Sequence, residues 1–244
     1  MKMKSTIKYL FCGMIKSYAI YGIIIVVIMN IAFIISASTG SSGVLGGIDF
    51  ATVIFLIILG ISSNQENMGM AVQNGVSRRT FYLSTGIVFL IIAAVCSAGD
   101  TLMSGIGHMY SSLADGFNYQ SSYEQAYLIS GNMNAGGYLK EFITQFTNNT
   151  FAVTGGFLIA AIFTKMSKVL RIVTAAVVYV VVFIIIPIID AVEFKMALSR
   201  KIAEFISWIG KSFVNLSITN VIGAVLVFAL SFVFVRRAKI ADRK

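Results

Sequence analysis

The chain has 244 residues, of which 57% are hydrophobic and only 12% charged, and its mean hydropathy is +0.87. Soluble domains carry roughly 25% charged residues, so a large soluble domain is excluded, while six spans of about 20 residues each leave the rest of the length for loops. The net charge of +9 sits beside apolar segments rather than on a soluble nucleic-acid patch, and the anionic cytoplasmic face of a membrane is its simpler partner.

Taken in chain order, the first element is Lys2 to Lys16, where lysines alternate with Ile7, Tyr9, Leu10, Phe11, Met14 and Ile15. It reads as an amphipathic helix (2–16) lying on the cytoplasmic membrane surface. The apolar run from Ala19 to Ala37 exceeds the 7–15 residues of a signal-peptide core. It is therefore expected to stay as a first span, about 19–38. After a Gly/Ser turn comes a second span, about 44–61, interrupted by Asp49. Further spans are expected at about 81–105, 149–164, 169–189 and 216–235. The only proline is Pro187, so long helices can run unbroken. Continuous rather than alternating apolar runs predict helices, not barrel strands. Between the last two spans, Phe194, Leu198, Ile202, Phe205, Ile209 and Phe213 recur at spacings of four and three. That is one helix face, expected to rest on or dip into the outer leaflet. The reading is an all-α, polytopic protein: one transmembrane domain over 1–244, with outer segments at 107–147 and 190–215.

Orientation follows from the Lys/Arg bias of short loops. Lys2, Lys4, Lys8 and Lys16 precede the first span. Arg78 and Arg79 lie between the second and third. Lys165, Lys168 and Arg171 lie between the fourth and fifth, and Arg236, Arg237, Lys239, Arg243 and Lys244 end the chain. All fall on one side if the second span exists, which puts both termini in the cytoplasm. Of the 19 basic residues only Lys140, Lys195, Arg200, Lys201 and Lys211 fall opposite.

No catalytic or metal set is visible, so no enzyme and no bound cofactor are expected in this chain. Cys12 and Cys96 lie in a cytoplasmic stretch and in a span, too far apart in topology to pair. His108 is the only histidine and reads as an interfacial surface residue. The pairs Gly46-Gly47, Gly136-Gly137 and Gly155-Gly156 lack the following Lys-Ser/Thr of a phosphate loop and read as turns or close helix contacts. Asp49, Asp100 and Asp190 all fall near the outer boundary. With no ionisable group at a midplane position, an ion-coupled carrier is disfavoured. Asn30, Ser84, Thr85, Ser97, Thr154, Thr174, Thr219 and Asn220 lie within spans, where they either hydrogen-bond between helices or line a path. Tyr110, Tyr119, Tyr123, Tyr127 and Tyr138 cluster in the outer segment, as an interfacial belt or an outer gate.

The most informative loop is 62–80, SSNQENMGMAVQNGVSRRT. Asn74-Gly75 is a helix-stop signal, and Ser77 is placed to cap the third span. Arg78 and Arg79 are expected to snorkel to headgroup phosphates. Met68, Met70 and Val72 give adaptable apolar contacts. Together these predict a short cytoplasmic helix tied to two spans, the form that force transfer from a soluble partner requires.

This layout resembles the membrane subunit of a bacterial type-2 ATP-binding-cassette exporter. The phrase Asn74-Gly75-Val76-Ser77-Arg78-Arg79-Thr80-Phe81 is similar to the "G-x-S/T-R" stretch that enters the third span of many such permeases. The resemblance implies an N-terminal interfacial helix, six spans, a coupling helix and short outer helices before the sixth span. It implies that ATP and Mg are bound by a separate ATPase subunit rather than by this chain. That subunit would dock at Asn64, Glu66, Asn67, Met68, Met70, Val72, Gly75, Arg78 and Arg79. A second permease subunit, identical or paralogous, would complete the path, and the plasma membrane would be its place. An uncharged, partly apolar path would suit an amphipathic or apolar cargo such as a peptide. The alternative is a non-transport immunity or sensor protein that binds a peptide or a partner protein in the membrane.

Overall fold

The computed structural model describes residues 2–39, 43–114, 116–127, 133–163 and 197–236, with isolated positions between 166 and 187; the side chains of 2, 64–66, 72 and 197 are not described. The elements are α1 (Lys2–Thr39), β1 (Gly43–Gly46), α2 (Ile48–Gln73), α3 (Arg78–Leu113), β2 (Phe117–Gln120), α4 (Ser122–Tyr127), α5 (Ala135–Phe163), α6 (Ala197–Gly210) and α7 (Phe213–Arg236). Most of the expected span at 169–189, Asp190 and the terminal basic residues beyond Arg236 lie outside the described residues.

Among the described residues, four helices are long and apolar enough to cross a membrane: Met3–Thr39, Arg78–Leu113, Ala135–Phe163 and Phe213–Arg236. The second expected span falls on a shorter apolar stretch, Ile48–Ser63. At 1.5 Å per residue, α1 and α3 are each more than about 50 Å long and overshoot a hydrocarbon core of about 30 Å. Ile20, Ile23, Ile24, Val27, Ile31, Ile34 and Ile35 leave α1 with a broad exposed apolar flank. Such a flank is what a membrane-embedded helix presents to lipid.

Three boundaries differ from expectation. The N-terminal helix and the first span are one helix, α1, because no proline separates them and Gly13 alone does not stop a helix. Its apolar side does not lie free for a membrane surface: Leu10 and Met14 are buried in the same core as Met68 and Phe81. Likewise the cytoplasmic helix is not separate, since α2 runs straight on from its apolar half to Gln73. Much of the outer segment 107–147 belongs to α3 and α5 rather than to a loop. A short parallel pairing of β1 with β2, Gly43 opposite Phe117 through Gly46 opposite Gln120, was not foreseen. Four residues with glycine at each end are too few to show strand alternation.

The core lies between α2, α3 and α5. Leu56, Val88, Phe89, Ile92, Val153 and Phe157 are fully buried, and the Phe89 and Phe157 rings meet edge-on at 5.4 Å. The helices α2 and α5 touch through glycines. A Cβ on Gly60 would collide with the Val153 carbonyl, and one on Gly156 with the Ile57 carbonyl. Here Gly156 is the close helix contact anticipated from its sequence. Tyr82 of α3 stacks on Phe228 of α7 at 4.3 Å and donates a hydrogen bond to the Phe228 carbonyl.

Two hydrogen bonds define one end of the molecule. Tyr9 Oη donates to Met70 Sδ at 3.9 Å, joining the start of α1 to the end of α2. Arg78 Nη1 donates to the Arg236 carbonyl at 2.8 Å, joining the start of α3 to the end of α7. The N-terminal lysines, Arg78, Arg79 and Arg236 thus share this end. The opposite end is closed by β1, β2 and α4.

The exposed helix α6 keeps Leu198, Ile202, Phe205, Ile206 and Trp208 open to the surroundings. Phe205 and Trp208 stack at 6.1 Å. This matches the face read from the spacing of Leu198, Ile202 and Phe205; positions 193–196 of that stretch lie outside the described residues.

Candidate functional site

The polar end of α2 builds the first candidate site. Gly75 adopts φ +69°, the left-handed conformation that ends a helix, and Val76 N donates back to the Ala71 carbonyl at 2.9 Å. Ser77 then caps α3 by accepting from Thr80 N at 3.1 Å. Both local features follow the sequence expectation. The turn is short because stop and start signals are two residues apart.

Of the expected contact residues, Asn64, Glu66 and Val72 lie on α2. Asn67 donates to the Ser63 carbonyl at 3.2 Å. Met68 is buried in the core, and Met70 is exposed. Arg78 is held by the α7 carboxyl end, where a cation is favoured by the helix dipole, rather than left free for headgroups. Arg79 is exposed. A cavity of about 410 Å³ opens between α1 and this turn, lined by Tyr9, Leu10, Asn67, Met70, Asn74 and Phe81 among others. A second, of about 370 Å³, lies on the other flank of α1 beside Cys12, Lys16, Leu59 and Ser62. Reading by local pattern missed the α1 residues Tyr9 and Leu10 as parts of this site, because their partners are some sixty residues away in the chain.

The second candidate site is a buried polar column at the opposite end. Asp49, in the first turn of α2, accepts from Ser122 N at 2.9 Å, from Ser122 Oγ, and from the Gln145 amide. Thr52 Oγ1 donates to Asp100 Oδ1 at 2.7 Å and pairs with Tyr21 Oη at 2.9 Å. Asn149 Nδ2 reaches Ser97 Oγ at 3.0 Å and Asp100 Oδ2 at 3.4 Å. From Arg78 to Asp100 is about 33 Å along α3, close to the thickness of a hydrocarbon core. Asp100 does not face outward, however. Asp49, Asp100, Glu124 and Glu141 are all buried, and this end of the bundle interior is not uncharged.

His108 is the clearest departure from the sequence reading. It is not a free surface residue: its Nε2 lies 3.0 Å from Glu124 Oε1, close enough for an ion pair but out of line for a hydrogen bond. Its ring packs edge-on against Tyr119 and Tyr138. Glu124 is fixed by a capping box: Ser121 N donates to Glu124 Oε2 at 2.9 Å and Glu124 N to Ser121 Oγ at 3.3 Å. Ser121→Ala should lower stability by about 1 kcal/mol, measured as a fall in the detergent melting temperature. An unchanged melting temperature would show that the box does not hold α4.

Tyr119 and Tyr123 are buried. Tyr110 stacks on Phe33 at 4.4 Å and donates to Asn30 Oδ1 at 3.0 Å, which makes Asn30 the helix-to-helix link expected of it. Burial, reinforced by the carboxylates of Asp49, Glu141, Asp100 and Glu124, pushes the Tyr119 phenol well above its ordinary range. It is therefore a neutral donor, packed over Gly107, where a Cβ would strike its ring.

No protein-family model matches this sequence, and no curated protein or solved structure matches it either.

Proposed function

We propose that the chain is the permease subunit of an ATP-driven exporter of the ATP-binding-cassette kind, in a bacterial plasma membrane, with both termini cytoplasmic. One observation carries the reading: α2 continues unbroken from its buried apolar half into the polar stretch ending at Gln73, and turns through Gly75 directly into α3. A push on that end is transmitted along two rigid helices into the core, since Met68 and Phe81 belong to it. The flanking cavities offer a partner ATPase side chains a place to seat. The gathering of N-terminal lysines, Arg78, Arg79 and Arg236 at this end supports a cytoplasmic placement. A six-span topology and a second permease subunit belong to the same reading, as does an amphipathic or apolar cargo, such as a peptide, in the path between the subunits.

The experiment is purification from the native host in mild detergent, followed by ATPase and vesicle-transport assays. An ATPase subunit should co-purify. Arg78→Glu combined with Gly75→Pro should abolish cargo-stimulated ATP hydrolysis while the complex still assembles in the membrane. Normal stimulation and transport by that variant would end the coupling role, and preparations that never contain an ATPase would end the exporter reading.

A further inference from the structure

In the polar column, Asp100 and Ser104 are one helical turn apart on α3, and Glu141, Gln145 and Asn149 follow one another by turns on α5. Ser104 and Asn149 are 0% exposed and Glu141 is 1% exposed. Yet Glu141 Oε2, Ser104 Oγ and Asn149 Oδ1 have no hydrogen-bond partner. The Ser104 and Ser121 hydroxyls both face the Glu141 carboxyl. Glu141 is thus a buried carboxyl with hydroxyls but no cation beside it, in a place where an uncompensated carboxylate costs several kcal/mol.

We propose that this column binds a small monovalent cation, a proton or Na⁺, at Glu141, with the Ser104 and Ser121 hydroxyls that face its carboxyl as supporting oxygens. The groups around it explain why the partner has to come from solution. Tyr18 and Tyr21 of α1, Cys96 of α3 and Asp49 of α2 lie within electrostatic reach of Asp100. Asp49, Glu124 of α4, and Tyr119, Tyr123 and Tyr138 lie within electrostatic reach of Glu141. Among the described residues here, only His108 can supply positive charge, and it is engaged with Glu124. Lys140, next in sequence to Glu141, is turned away over the Phe213 ring at 5.5 Å. No three His, Cys, Asp or Glu side chains among the described residues converge as a divalent metal would need; one carboxyl with hydroxyl neighbours suits a single positive charge.

The test uses the full chain in detergent. Thermal unfolding is followed in NaCl against choline chloride at equal ionic strength, and in sodium-free buffer from pH 6 to 9. If Na⁺ is the ligand, saturating NaCl should raise the melting temperature by roughly 5 °C. If the proton is, the melting temperature should fall by a similar amount as pH rises and the column loses its proton. In either case Glu141→Gln should remove most of the response, while Glu204→Gln, on the exposed helix α6, should leave it intact. Wild-type protein indifferent to both Na⁺ and pH would overturn the proposal without any variant having to fold. So would a response that Glu141→Gln leaves unchanged.

Discussion

Gly156→Ala is expected to destabilise the helical bundle by about 1–3 kcal/mol, the cost of forcing a methyl group into a filled contact. The new Cβ would meet the Ile57 carbonyl oxygen, its carbon and its Cα. These are backbone atoms of a helix and cannot rotate aside, so α2 and α5 have to separate along their line of contact. Separation would strip packing from Leu56, Val153 and Phe157, which are fully buried beside it. Gly60→Ala should act alike, since its Cβ would strike the Val153 carbonyl and the Phe157 nitrogen. Gly155 is the internal control. Nothing lies within 4 Å of a Cβ there, and alanine is favoured over glycine in a helix by roughly 1 kcal/mol. Gly155→Ala should therefore be neutral or stabilising in the same denaturation assay. Equal effects at 155 and 156 would remove the close-contact account of this interface.

The contrast between adjacent glycines also shows what can be read from the sequence. The pair was legible as a turn or a close helix contact, but which member makes the contact depends on the rotation of α5 against α2. The same holds at the basic end. Gly75 and Ser77 carry their conformations in their own chemistry, so the turn into α3 was legible. The fusion of the N-terminal helix with the first span was not, because lysines on one side of a helix look the same whether the other side meets lipid or protein. Leu10 and Met14 meet protein. The polar column was hidden for a different reason. Ser122 is 73 residues from Asp49, and Gln145 is 96, so each acid looked like an isolated boundary residue. His108 looked solitary for the same cause, since the capping box that presents Glu124 to it could be read only as a local Ser-x-x-Glu pattern.

Those long-range pairs make Asp49 the residue whose loss should be felt most widely at that end. Its carboxylate accepts from a backbone N–H, a hydroxyl and a side-chain amide, and so ties α2 to both α4 and α5. Asp49→Ala would leave all three donors buried without an acceptor. Hydrogen bonds to charged groups are worth about 1.5–3 kcal/mol, and stranding a buried donor costs about 1–3 kcal/mol. A total loss of roughly 3 kcal/mol is expected once water enters the gap. Asp49→Asn keeps the volume but turns one accepting oxygen into a donor facing Ser122 or Gln145, so it should lose nearly as much. Ser122→Ala removes the hydroxyl and spares the backbone bond, and should cost only about 1 kcal/mol. Hydrogen exchange separates a local from a global effect: amides of 121–127 should lose protection first in Asp49→Asn, before those of α3. Retention of wild-type protection there would mean that α4 is held by β2 and its own capping box, with Asp49 a bystander. Loss confined to α4 would instead mark this end as a cap that opens as a unit, the behaviour an outer gate requires, while the Gly60–Gly156 contact keeps the helices beneath it in register.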